Sequence, residues 1–199
     1  MCVLQPGEAY LIYNRAIGEE NLFRDEQNYL YFLKRYADFI HPIAHTYAYC
    51  LMPHDFHVLI RIRKEEELKV NLQGFKNLEG MQRKISRQFS NLFNSYTKSY
   101  NKYYGRKGAL FCHNYKRKAI LNEDHFAAVV FYIHRHPVHH GFCDFTEEWF
   151  WSSYHTYLNN KQTLLEKEET LQRFGGKEAF IRMHHTLGKH LQLAEEDFY

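Results

Sequence analysis

The chain has 199 residues, 45% of them hydrophobic and 25% charged, with 10 Gly and 4 Pro. That composition excludes a disordered, collagen-like or low-complexity polymer and supplies a real core. The formal net charge is only +3, so no strong global field draws a polyanion, and any such contact needs a local basic patch.

Residues 8–17 are rich in β-formers and end at Gly18, which predicts a first strand. From Asp25, an N-cap residue, the apolar set Tyr29, Phe32, Leu33, Tyr36, Phe39 and Ile40 follows helical spacing until Pro42 breaks it. Residues 43–51 and 56–63 read as two strands joined by a tight turn at Met52-Pro53-His54. Residues 64–80 form a charged, Gly-punctuated connection. A long helical pattern then runs from Met81 through Ile85, Phe89, Leu92, Phe93, Tyr96, Tyr100 and Tyr103 to Gly105. The stretch Tyr115 to Ile120 predicts a fourth strand, and Asn122-Glu123-Asp124 opens a helix that Pro137 is expected to end.

The order β-α-β-β-α-β-α predicts an α+β fold, a ferredoxin-like antiparallel sheet with helices on one face, over residues 1–158. Residues 159–199 predict a helical C-terminal extension packed on it. Cys2, Cys50, Cys112 and Cys143 form no CxxC pair, which excludes a zinc ribbon or a dense disulfide framework. The apolar runs fall short of the ~20 residues of a bilayer span, and the first residues lack a basic stretch followed by a long apolar one. A cytoplasmic setting, with no membrane partner, is expected.

Strand alternation places Phe56, Val58, Ile60 and Ile62 on one face and Asp55, His57, Leu59, Arg61 and Arg63 on the other. Asp55 and His57 therefore leave the same face, as two ligands of one ion must. On the last helix Tyr132 and His136 are four apart, on one stripe. If that helix crosses the polar face of the strand, one carboxylate and two imidazoles surround a divalent cation with a phenol beside it. Such a donor set accepts Mg²⁺ or Mn²⁺ and binds Fe²⁺, Co²⁺ or Zn²⁺ more tightly, so availability and geometry decide the ion. A phenol has an ordinary pKa near ~10 and is a weak nucleophile until a metal polarises the phosphate it attacks.

The run Tyr49-Cys50-Leu51-Met52-Pro53-His54-Asp55-Phe56-His57-Val58-Leu59-Ile60 resembles the metal-binding strand of the single-tyrosine HUH transposases, in particular the REP-associated tyrosine transposase branch, whose pattern is Met-Pro-Asn-His-hydrophobic-His. Tyr13-Asn14-Arg15, Gly108-Ala109-Leu110-Phe111, Tyr132-Ile133-His134-Arg135-His136-Pro137-Val138 and Trp151-Ser152-Ser153-Tyr154 extend the resemblance over roughly residues 8–158. It implies Tyr132 as nucleophile, His57 as the second histidine of the pair and His136 as the helix-borne third ligand, where the branch usually has Asn. Asp55 stands where the first histidine should be. The cofactor expected is a divalent metal, Mg²⁺ or Mn²⁺, with no nucleotide cofactor.

The substrate the resemblance implies is single-stranded or hairpin DNA, cleaved and rejoined through a 5′-phosphotyrosine. Candidate contacts are Asn14, Arg15, Arg61, Arg63, Arg106, Lys107, Lys116, Arg117 and Lys118, cations set among aromatics that suit phosphates and unpaired bases. The two departures at ligand positions leave a second expectation open: a domesticated, catalytically inactive protein of the same fold that binds structured DNA or RNA. A third, a metal enzyme of unrelated chemistry, rests on the two-histidine, one-carboxylate set alone. The long tail points to a monomer rather than a dimer.

Overall fold

The structure, a computed structural model, describes residues 3–72 and 77–187. Its four strands are β1 (Ala9–Arg15), β2 (Ala44–Leu51), β3 (Asp55–Ile62) and β4 (Lys116–Ala119), all antiparallel, in the order β2-β3-β1-β4. Helices α1 (Glu26–Ile40), α2 (Glu65–Asn71) and α3 (Leu78–Tyr103) precede β4, and α4 (Glu123–His139), α5 (Tyr154–Leu158), α6 (Lys167–Arg173) and α7 (Lys177–Leu187) follow it. The β-α-β-β-α-β core is thus present, and the fold is α+β with a four-stranded antiparallel sheet.

Each face of the sheet carries its own core, because successive strand residues alternate sides. Phe56, Val58, Ile60 and Ile62 join Tyr10 and Ile12 under α1 and α3, packing with Phe32, Ile40, Ile85, Phe89 and Leu92. Leu11 and Leu59 face the other way, where α4 covers them with Phe126, Val129, Val130 and Ile133. A bulge in β2 between Thr46 and Ala48 inserts one residue, which reverses the alternation. Thr46 bonds the Tyr36 hydroxyl of α1 at 2.9 Å, whereas Ala48 and Cys50 point to the α4 side.

The helix ends follow their sequence signals. Asp25 caps α1 by accepting from the Asn28 amide at 3.0 Å, and Asn122 caps α4 by accepting from His125 at 2.8 Å. The helices do not share one face of the sheet as expected, since α1 and α3 cover one side and α4 the other. Two more expectations need correction. The connection 64–80 contains α2 and the first turn of α3, with three acids in the first turn of α2 favoured by the helix dipole. Pro137 does not end α4; it lies inside it. A proline near the C-terminus removes only its own donor. The helix runs on to Gly141 at φ 71°, where Gly141 donates to the Val138 carbonyl at 3.1 Å and Phe142 to Pro137 at 2.9 Å, a Schellman stop.

After α5 the chain is irregular until Leu165, which bridges to Thr46 of β2. Phe180 of α7 is fully buried in the α4-side core, stacked on Tyr157 at 4.7 Å. Below it runs a buried relay. Ser153 Oγ lies 2.7 Å from His134 Nε2, His134 Nδ1 3.0 Å from His184 Nε2, and His184 Nδ1 2.9 Å from the Phe180 carbonyl. The helix expected from 161 onward is therefore α6 and α7 as far as residue 187; the expectation for 188–199 lies outside the described residues.

Candidate metal and nucleic-acid site

Asp55 and His57 leave β3 on the α4 side, and packing of Phe126, Val129 and Ile133 against the sheet brings the C-terminal half of α4 over them. Asp55 Oδ1 lies 3.5 Å from His57 Nδ1 and 3.6 Å from His136 Nε2, and a ligand atom of each of the three residues lies within 4.8 Å of the others. The imidazoles of His57 and His136 are 4.2 Å apart at their centroids. Tyr132, one helical turn before His136, sits edge-on to His57 at 5.8 Å and 5.2 Å from the His136 ring. Asp55, His57 and His136 meet as the sequence pattern expects, but the phenol does not stand open beside them. The Tyr132 side chain is buried, and its hydroxyl is covered by packing.

The charge states suit a cation. Burial pushes the Asp55 carboxyl up, but His136 and His57 overcome this and hold it well below the usual carboxylate range. Burial, aided by His57, pushes His136 down against the opposing pull of Asp55, so its ring is neutral at neutral pH. Among the described residues, buried Asp55 Oδ1 and both ring nitrogens of His136 have no hydrogen-bond partner. Leaving such groups unsatisfied costs about 1–3 kcal/mol each. An ionised carboxylate and a neutral imidazole with unsatisfied donor atoms fit a divalent cation, and the residues that would hold it are Asp55, His57 and His136.

A cleft of about 750 Å³ opens beside the cluster, lined by Tyr13, Arg15, Asp55, His57, Cys112, His113, Lys116 and His140 among others. Tyr13 was no candidate from sequence. The register of β1 on β3 sets it directly across from His57, and the two rings stack 5.2 Å apart at 10°. The signal was available only through strand order, which turns alternation on one strand into contact with its neighbour. His140, the C-cap of α4, also lines the cleft.

The expected DNA contacts divide. Arg15 and Lys116 are exposed on the cleft wall, Lys118 lies on the same face of β4, and Lys107 is exposed in the loop after α3. Arg61 instead grips Glu169 through two bonds of 3.0 and 3.1 Å, and Arg63 bonds Glu67 at 2.8 Å and the His41 carbonyl at 2.9 Å. Arg106 holds Glu20 at 2.7 Å and the Ala109 carbonyl at 2.8 Å. Arg117 alternates to the other face, over the Tyr115 ring. Asn14 is buried, bonding the Cys112 carbonyl at 3.2 Å and accepting from the Arg15 amide at 2.9 Å. These five side chains are engaged within the chain, most of them by partners far away in sequence.

No helix among the described residues is long and apolar enough to cross a membrane. The sequence matches no protein-family model and no curated protein. Its structure is similar to that of a REP-associated tyrosine transposase bound to a REP hairpin, with a TM-score of 0.54 and 17% sequence identity, covering 79% of this chain and 83% of that one. The two share a fold, here an α+β arrangement built on a four-stranded antiparallel sheet.

Proposed function

We propose that this protein is a metal-assisted DNA strand transferase that acts on single-stranded or hairpin DNA through Tyr132. The observation that carries the reading is the meeting of Asp55, His57 and His136 within 4.8 Å, with the Tyr132 ring 5.2 Å from His136. A divalent cation held there would polarise the scissile phosphate and neutralise charge that builds on it. Arg15 and Lys116 hold neighbouring phosphates on the cleft wall. Once DNA docking uncovers its hydroxyl, the Tyr132 oxygen attacks phosphorus and its proton passes to solvent as the new P–O bond forms. The bond to the 3′ oxygen breaks, and that oxygen leaves as a hydroxyl after taking a proton. Attack by a 3′-hydroxyl on the phosphotyrosine reverses the step, so the phosphoester bond is conserved and no nucleotide is consumed. The similar transposase is bound to a REP hairpin, and a hairpin with an unpaired flank is the substrate class proposed here.

The covered Tyr132 hydroxyl favours one second reading, a binding protein of the same fold that does not cut. A labelled hairpin incubated with protein and Mn²⁺, then run on a denaturing gel, separates the two. Strand transfer predicts a covalent adduct that Tyr132→Phe abolishes while native binding persists. Hairpin binding without an adduct supports the second reading.

A further inference from the structure

We propose that the outer surface of α3 is a second nucleic-acid contact, which takes the phosphate backbone of a duplex on the face of the sheet opposite the cleft. Helix α3 turns Met81, Ile85, Phe89, Leu92, Tyr96 and Tyr100 into the core. The residues it exposes between its first and last turns are Arg83, Arg87, Ser90, Asn94 and Lys98, followed by Lys102. At 3.6 residues per turn and ~1.5 Å rise, the four cations fall within a sector of about 100° and span about 28 Å.

The lack of acid sets this surface apart. Glu79, in the first turn, is the one acidic residue of the 26 in α3, and it pairs with Arg83. Among the described residues Arg87, Lys98 and Lys102 have no ion-pair partner. Several cations on other helices have an acid one turn away: Arg35 pairs with Asp38 at 2.8 Å in α1, Lys69 with Glu65 at 2.7 Å in α2 and Arg173 with Glu169 at 2.8 Å in α6. On α3, Arg83 and Arg87, and again Lys98 and Lys102, are like charges at i,i+4, an arrangement that disfavours the helix. A polyanion relieves that repulsion.

The shape selects the polyanion. A single strand needs rings on which to stack its bases, and the stripe offers only Tyr103 at its end. An anionic bilayer needs an apolar face to insert, and that of α3 is buried in the core. A duplex presents phosphates as a regular, rigid array with one charge per ~1.7 Å of axis. Four point charges, with Ser90 and Asn94 between them as hydrogen-bonding groups, match it. The inference uses neither the metal cluster nor Tyr132, so it stands or falls apart from the cleavage reading.

The test is fluorescence anisotropy of a blunt DNA duplex of about 20 bp across about 50–200 mM salt, with the full chain and with the triple variant Arg87→Gln, Lys98→Gln, Lys102→Gln. The slope of log K against log salt is expected to fall in magnitude by about 0.9 for each lost contact, so by 2–3 in the variant, with affinity down at least about tenfold. Unchanged slope and affinity overturn the proposal, as does a wild type that ignores the duplex at low salt or that binds anionic vesicles through these residues instead. Acetylation footprinting of the wild type supplies an arm free of substitutions. The duplex is expected to protect Lys98 and Lys102 and leave Lys69 of α2 reactive, and equal reactivity with and without duplex refutes the idea.

Discussion

Acid should destabilise the chain through the buried pair His134 and His184, and the hydrogen-bond roles show why. The Phe180 carbonyl can only accept, so His184 Nδ1 carries a proton and its Nε2 accepts from His134 Nδ1. His134 Nε2 must then accept from the Ser153 hydroxyl, whose oxygen receives the Tyr49 amide at 2.9 Å. Every partner is satisfied with both rings neutral, and neither ring has room for another proton. Burial pushes His134 well below its ordinary value and His184 from 6.5 down to about 4.

Above pH 6.5 neither the native nor the unfolded form protonates His184, so the group has no effect on stability there. Between pH 6.5 and about 4 the unfolded chain takes up a proton that the native chain refuses, and stability falls as pH falls. At ~1.4 kcal/mol per pH unit over that window, His184 alone removes about 3 kcal/mol; below it the loss levels off. His134 acts in the same direction. Urea unfolding of wild type and His184→Gln at pH values from about 7 to about 4 measures the effect. The variant keeps an acceptor for His134 but cannot titrate, so its stability should fall less steeply, by about 1.4 kcal/mol per pH unit. Parallel curves would refute the reasoning.

Tyr13→Ala should weaken Mn²⁺ binding about tenfold or more by freeing the His57 ring, whereas Tyr13→Phe, which keeps the stack, should stay near wild type in a calorimetric titration. Asp55→Ala removes the one carboxylate of the cluster and should abolish that binding with the fold intact by circular dichroism. Phe180→Ala leaves a cavity where α7 meets α4 and should cost about 3–5 kcal/mol in urea unfolding. Asp25→Ala deletes the α1 cap and the 2.6 Å bond from the Tyr104 hydroxyl, an expected loss of about 1 kcal/mol on the same measurement.

The cluster was legible in the sequence because its geometry is local twice over. Two residues apart on a strand and four apart on a helix each fix a shared face, and only the crossing of α4 over β3 had to come from the fold. Tyr13 was hidden because its partner lies on a neighbouring strand, a relation that needs sheet order. The arginines show the opposite failure. Arg61 shares a strand face with Asp55, yet Glu169, 108 residues later, captures it, and no local pattern reports a partner at that distance. Burial against Phe180 and His134 makes His184 part of the core, a contact between separate elements that no local pattern reports. Pro137 misled because a proline near a helix end removes one bond without stopping the chain.

Mass spectrometry of the protein after incubation with Mn²⁺ and a hairpin DNA carrying an unpaired flank tests the central claim most directly. The account predicts a nucleotide phosphate esterified to Tyr132 and to no other tyrosine. A protein that binds the hairpin yet yields only unmodified peptides, or one that carries the adduct on Tyr13, contradicts it.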